Sequence, residues 1–190
     1  MNDAKLIEEF RGGNIEAFNN LVERWQHRIH QFAYRFFSSH DEAKEITQKT
    51  FIKAYRKLHT LDDAEKFSSW IFRIANNLCL DEMKRAGRRR SQSLDAIKNH
   101  PIARGITGNP DRSLQQQELG SILQQALNQL PPEQRIVVIM KEYEGLKFRE
   151  IAEILEEHEN TVKSRMYYGL SSLRTIFEKW NIEMEALNYE

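Results

Sequence analysis

Leu146-Lys-Phe-Arg-Glu150-Ile-Ala-Glu-Ile-Leu155-Glu-Glu-His-Glu-Asn160-Thr-Val-Lys-Ser-Arg165-Met-Tyr-Tyr-Gly-Leu170-Ser-Ser-Leu173 reads as a short helix, a tight turn and a second helix. Ile151, Ala152, Ile154 and Leu155 form the apolar set of the first, and Val162, Met166, Leu170 and Leu173 the matching stripe of the second. Each helix therefore buries one face, and Ala152 stands where the two would cross, small enough to let the backbones approach. From about Asn160, the residues Thr161, Lys163, Ser164, Arg165 and Tyr168 fall off the stripe and are left to meet phosphates or base edges. Helix pairs of this kind place side chains in a DNA major groove. The same pattern also suits a helical hairpin in an ordinary all-α core.

Glycine and proline punctuation divides the rest of the chain. Between about Ala86 and Asp111, Gly87, Pro101, Gly105, Gly108 and Pro110 stand among Ser, Asn and Arg with no sustained period of helix or strand, which predicts a linker. The expected organisation is all-α: two small helical domains, residues 1–90 and 115–180, joined by a flexible linker over 91–114 and followed by a tail over 181–190. Such a connector lets the two blocks sit apart on a partner, so one compact domain is the less favoured arrangement. Nothing alternates with period two, and essentially no sheet is expected.

In the first block, Asn14 is placed to cap a helix on which Phe18, Leu21, Val22, Trp25, Ile29, Phe32, Ala33 and Phe36 repeat at three- and four-residue spacing. A second helix over 41–58 turns Ala43, Ile46, Phe51, Ala54, Tyr55 and Leu58 inward and Glu45, Gln48, Lys49 and Lys53 outward. A third, from near Phe67, carries Trp70, Ile71, Ile74, Ala75 and Leu78 on one face and Arg73, Asn76, Asn77, Asp81, Lys84 and Arg85 on the other. Phe67 and Trp70 lie on the apolar stripe and read as core, whereas Phe72 lies off it. The second block opens with Leu119, Leu123, Leu127 and Leu130 and breaks at Pro131 and Pro132, the second proline suiting a first helical turn. The helix that follows carries Ile136, Val137, Ile139 and Met140 and stops at Gly145.

The 190 residues balance 28 Lys and Arg against 28 Asp and Glu, a net charge that argues against a nucleic-acid partner until its distribution is considered. Lys84, Arg85, Arg88, Arg89 and Arg90 form a basic cluster, while Glu183, Glu185 and Glu190 leave the end of the sequence acidic. That acidic tail reads as a frayed end or as an interaction segment. Cys79 stands alone, so no internal disulfide is possible and core packing is its expected role. No apolar run follows the first charges, and Ile136 to Met140 is far too short to cross a bilayer; a cytoplasmic protein without membrane insertion is expected.

Two segments together carry a specific resemblance. Phe67-Ser-Ser-Trp70-Ile-Phe-Arg73-Ile74-Ala75-Asn76-Asn77-Leu78-Cys-Leu80-Asp81 is followed, across the linker, by Leu130-Pro131-Pro132-Glu-Gln-Arg135, Glu150-Ile151-Ala152-Glu-Ile-Leu155 and Thr161-Val162-Lys163-Ser164-Arg165. The chain from Ala17 to Trp180 resembles the extracytoplasmic-function sigma factors of bacterial RNA polymerase. The resemblance implies a promoter-melting region two, a linker and a helix-turn-helix region four, with core polymerase, through its β′ clamp helices and β flap, and promoter DNA as partners. A separate anti-sigma factor is a further partner common in the family. The helix over 41–58 aligns with the clamp-docking helix, making Glu45, Gln48, Lys49 and Phe51 its candidate contacts; a plainly solvated face is the other reading of these residue types. The segment from His59 to Lys66 aligns with the loop that captures an unpaired minus-ten base, a step whose unstacking cost must be returned by stacking and hydrogen bonds. Leu61, Asp62, Lys66, Phe72, Arg73, Asn76, Asn77, Lys84 and Arg85 are the minus-ten candidates on this reading. Asn160, Thr161, Lys163, Ser164, Arg165 and Tyr168 are those for the minus-thirty-five duplex. The chain departs from the family pattern where Glu156 replaces a common turn glycine and where Tyr168-Gly169 replaces a usual Arg-Ala; Tyr168 either meets DNA or packs.

Other classes leave weaker marks. Glu23, His27 and His30 share a helical side, but nothing in the sequence completes a metal site. Gly-rich phosphate loops, a nucleophile elbow and cysteine pairs are missing, so neither catalysis nor a cofactor is expected. A stand-alone helix-turn-helix regulator binding duplex operators is the alternative function.

Overall fold

The computed structural model describes the backbone of residues 2–92 and 112–182 and the side chains of 2–87 and 119–182. Among these residues lie eight α-helices and no strand: α1 (Asp3–Arg11), α2 (Ile15–Phe37), α3 (His40–Lys57), α4 (Phe67–Gln92), α5 (Arg112–Gln129), α6 (Pro132–Val138), α7 (Phe148–Leu155) and α8 (Glu159–Lys179). Short 3-10 turns at Leu58–Thr60 and Ala64–Lys66 lead from α3 into α4, and a π-helical turn, Ile139–Tyr143, prolongs α6. No described helix is long and apolar enough to cross a membrane.

Local chemistry sets the helix starts. Asn14 Oδ1 accepts from the Glu16 amide at 3.1 Å, the expected cap of α2, and Ser39 Oγ accepts from the Glu42 amide at 3.3 Å to begin α3. Pro132 occupies the first turn of α6. Gly145, at φ 68, ends the turn that follows. The nine residues of α1 offer too short a periodic run to mark a helix in the sequence; Asn2 caps it, and Leu6 and Ile7 are buried.

Leu21, Ile29, Phe32 and Phe36 of α2 meet Ile46 and Ala54 of α3 and Ile71 and Ala75 of α4 in the buried core of the first block. Each large side chain there contributes about 1.5–3 kcal/mol by leaving water. Ile136, Val137 and Met140 pack with Ile151, Ile154 and Val162 in the second block, and Ala152 is buried near the α7–α8 crossing as expected. Two assignments are corrected. Tyr55 and Leu170, expected to face inward, are 46% and 48% exposed. Gly169 is buried instead, because a side chain there would meet Val138 Cγ2 at 3.0 Å where α8 runs against α6.

The two blocks also pack on each other, α4 against α7 and α2 against both α5 and the π-helical turn. The Arg135 guanidinium donates to the Phe36 carbonyl at 2.9 Å. The Gln124 amide donates to the Arg35 carbonyl at 2.7 Å and to Ser38 Oγ at 2.9 Å. Side chains of the second block thus satisfy carbonyls left open at the C-terminal end of α2. At the edges of the expected linker, helix takes residues 91–92 and 112–114; residues 93–111 and the acidic tail from 183 lie outside the described residues.

Candidate nucleic-acid interface and docking groove

Between α2 and α3 runs an open groove of about 1100 Å³, floored by Phe18, Val22, Phe51, Ile52 and Tyr55 and edged by His27, His30, Lys44, Gln48 and Arg56. Gln48 and Phe51 were expected at an interface and line it. Glu45 and Lys49 are not among its lining residues: Lys49 Nζ pairs with Glu45 at 2.5 Å and reaches toward Glu82 of α4 at 4.0 Å, and Arg85 meets Glu82 at 3.6 Å. The four candidates on α3 therefore divide between an apolar groove and a charged ridge. Ile52 and Tyr55, 45% and 46% exposed, line the groove without having been expected there; the Phe18 ring lies 5.1 Å from that of Tyr55. His30 stacks on His40 at 5.7 Å, and His40 on Tyr34 at 4.3 Å. Burial lowers the His30 pKa from its ordinary value, and the charges of His40 and His27 lower it further. Among the described residues, no group of three or more His, Cys, Asp or Glu side chains is arranged to hold a metal ion.

In the connection from α3 to α4, Asp62 and Lys66 are exposed, whereas Leu61 is buried and its carbonyl accepts from the Arg11 guanidinium of α1. Asp63 Oδ1 accepts from the Glu65 amide at 3.0 Å, so the loop is tied at both ends. On α4 the expected face is partly corrected. Phe72 is fully buried, edge-on to Trp25 at 6.0 Å and to Phe32 at 5.3 Å, while Trp70 is only half-buried. Asn76 is 2% exposed, and its Oδ1 has no hydrogen-bond partner. Leu61, Phe72 and Asn76 thus lie inside, leaving Asp62, Lys66, Asn77, Lys84 and Arg85 on the surface. Arg73, half-buried, donates to the Glu153 carbonyl and lies 3.4 Å from the Glu156 carboxylate. The side chains of Arg88, Arg89 and Arg90 are outside the described residues.

On α8 the helical repeat brings Asn160, Ser164 and Tyr168 into one row and Lys163 and Tyr167 into the next, all exposed. Tyr167 and Tyr168 are 71% and 59% exposed, with rings 5.6 Å apart. Tyr168 does not pack into the core, and Tyr167 is exposed beside it. Lys163 Nζ lies 2.6 Å from Glu159; Arg165, half-buried, donates to Glu157 at 2.9 Å and turns toward the α7–α8 corner, as Thr161 is also partly covered. A surface of aromatic rings, an amide, a hydroxyl and a cation on one helix suits base edges and phosphates in a major groove.

Residues 21–89 match Sigma-70 region 2, and residues 121–173 match Sigma-70, region 4. The ECF RNA polymerase sigma factor SigW of Bacillus subtilis (strain 168) is 32% identical over 179 residues, 90% of this chain and 94% of that protein. This chain belongs to the ECF sigma-factor family. The ECF RNA polymerase sigma-E factor of Escherichia coli (strain K12) is 33% identical over 172 residues, 88% of this sigma factor and 90% of its relative. The fold is shared with CnrH, solved in complex with the cytosolic domain of CnrY, at a TM-score of 0.68 and 21% identity over 93% of this chain and 97% of the matched one. It is shared also with the sigma factor RpoE of Bartonella quintana, solved with the anti-sigma factor NepR, at a TM-score of 0.67 and 24% identity over 86% and 98%.

Within this sigma factor the two departures from the family pattern acquire physical meaning. Glu156 holds the left-handed backbone of the helix-turn-helix corner, φ 56 and ψ 42, in which a glycine is unstrained. Gly169 allows α8 to close on α6, and its neighbour Tyr168 projects outward.

Proposed function

We propose that this sigma factor docks on core RNA polymerase through the groove between α2 and α3 and directs initiation at promoters, with α8 reading the minus-thirty-five duplex and the 58–66 connection with α4 engaging the opened minus-ten strand. The observation that carries the reading is the placement of an exposed Tyr-Lys-Asn-Ser face on α8 and an apolar groove edged by Gln48 on a different helical block. Gln48 and Phe51 supply groove contacts, and Glu45 and Lys49 a charged margin. Asp62, Lys66, Arg73, Asn77, Lys84 and Arg85 serve the minus-ten strand, the cations tracking its phosphates; Asn160, Lys163, Ser164 and Tyr168 meet the upstream duplex, with Thr161 and Arg165 set toward the turn. Catalysis belongs to the polymerase, and the factor works in the cytoplasm without a cofactor.

The neighbours solved with CnrY and NepR support a separate anti-sigma partner for this chain as well, competing for the same groove. Core polymerase reconstituted with this factor is expected to initiate on supercoiled promoter templates, read by sequencing the transcripts. A chain that binds duplex operators alone and gives no polymerase-dependent initiation would instead be a stand-alone regulator.

A further inference from the structure

Leu61 leaves the Leu58–Thr60 turn in extended backbone, φ -78 and ψ 106, and its amide donates to the Leu58 carbonyl at 3.3 Å. Residues 61–63 lie between the two 3-10 turns and in neither, yet Asp62 and Lys66 project from this connection into solvent. Its backbone needs support from outside, because the Leu61 carbonyl belongs to no helical ladder. Helix α1 supplies that support. Its last residue, Arg11, donates to the Leu61 carbonyl, and the helix packs against both α2 and the Ala64–Lys66 turn. Its first residue, Asp3, accepts from Trp25 Nε1 at 3.0 Å and pairs with Arg24 at 2.5 Å. The Trp25 ring stands edge-on to Phe67, the first residue of α4, with centroids 5.6 Å apart. The connection is thus held near its start by one end of α1 and, through Trp25, at its close by the other.

We propose that Arg11 is a positioning residue for minus-ten recognition: bound to the Leu61 carbonyl, it holds the 61–66 backbone in one conformation, so that Asp62 and Lys66 meet the opened strand already in place. The inference rests on the minus-ten reading above and adds to it a residue that itself touches no DNA. The chemistry of the side chain fits that role. A guanidinium carries its donors in a rigid planar fork and stays charged, and a hydrogen bond from a charged donor is roughly twice as strong as one between neutral groups. The base of the fork is fixed as well: Asp3 ties the far end of α1 to α2, and the Gly12 amide closes the near end by donating to the Glu8 carbonyl at 3.0 Å. A connection ordered beforehand removes the entropy loss of ordering Asp62 and Lys66 at the moment of contact, which strengthens binding without a new contact.

The test uses holoenzyme assembled from core polymerase and the full-length factor. Its probes are a single-stranded oligonucleotide carrying the minus-ten element of a promoter mapped from the factor's transcripts, and a scrambled strand of the same composition. Arg11→Ala should weaken binding of the matched strand by about fivefold to tenfold and of the scrambled strand by less than about twofold, with affinity for core polymerase unchanged. The slope of log affinity against log salt should stay as in the wild type, whereas a side chain that neutralised a phosphate would take about 0.7 from it on a single strand. Arg11→Lys keeps a charged donor and should recover most of the matched-strand affinity. In the free full-length factor, the backbone amides of residues 61–66 should exchange with deuterium faster in Arg11→Ala. Wild-type affinity for the matched strand, a slope reduced by about 0.7, a lysine variant no better than alanine, or unaltered exchange would each overturn the positioning role. Core affinity lost together with strand affinity would mark damage to the whole first block and would equally overturn it. A wild-type holoenzyme that binds matched and scrambled strands alike would instead refute the minus-ten reading, while exchange in the free factor still decides whether Arg11 orders the connection.

Discussion

Glu156 stores a small strain at the helix-turn-helix corner, since a non-glycine residue in left-handed backbone costs on the order of 1 kcal/mol, and its pairing with Arg73 is solvent-exposed and contributes little. Glu156→Gly is therefore expected to stabilise the second block by about 0.5–1 kcal/mol, visible in calorimetry as a rise of a few degrees in Tm. Lys163 is paired only with the exposed Glu159 among the described acidic groups, so the pair yields easily to a phosphate. Lys163→Ala should weaken minus-thirty-five binding about equally across sequences and reduce the slope of log affinity against log salt by about one, measured by anisotropy over a salt series. A change confined to sequence preference would contradict this phosphate role. Lys163 and Tyr168 were legible because they fall off a narrow apolar stripe. Phe72 and Asn76 were misread because α4 is covered by α2, α3 and α7 together, so its buried arc is wider than the single stripe that spacing suggests.

The α2–α3 pair illustrates how elements create properties that neither helix has alone. Both helices were readable from their period, and α2 also from its cap at Asn14, but the groove, the exposed Ile52 and Tyr55, and the stacking of His30 with His40 arise only where the two meet. Burial, then His40 and His27, disfavour the His30 cation, and Lys44 and Arg56 on α3 add to the cationic rim. The folded pKa is lowered, so the unfolded chain takes up the proton first as pH falls through the ordinary histidine value of about 6.5. The stability contributed by neutral His30 is thus present above that value and lost as pH descends to the depressed folded value. Tm is expected to fall between pH 7.5 and 5.5, and His30→Gln should flatten that decline; an unchanged profile in the variant would remove His30 as its source. The π-helical turn was not readable either, because Ile139 and Met140 continue the apolar run of α6 without a break.

Across the whole molecule, the proposed function has two blocks contact different parts of one promoter, which makes them depend on their covalent connection. Tethering at effective concentrations near the millimolar range replaces a second bimolecular encounter. Cleaving the chain at a protease site inserted between residues 93 and 111 should therefore lower promoter-specific transcription at nanomolar factor by more than about tenfold, with both fragments still present on a gel. Undiminished transcription would mean that the blocks associate tightly without the tether. The all-α class, the helix-turn-helix pair, the cap at Asn14, the first-turn proline at Pro132 and the stop at Gly145 were written in the sequence, because periodicity, capping and backbone preference act over a few neighbouring residues. Which faces see solvent was settled in three dimensions: Phe72 and Asn76 went inside, Tyr55, Tyr167 and Leu170 stayed outside, and Arg73 and Glu144 were committed to a contact between blocks. Burial is a property of distant segments brought together, and no local pattern records which ones arrive.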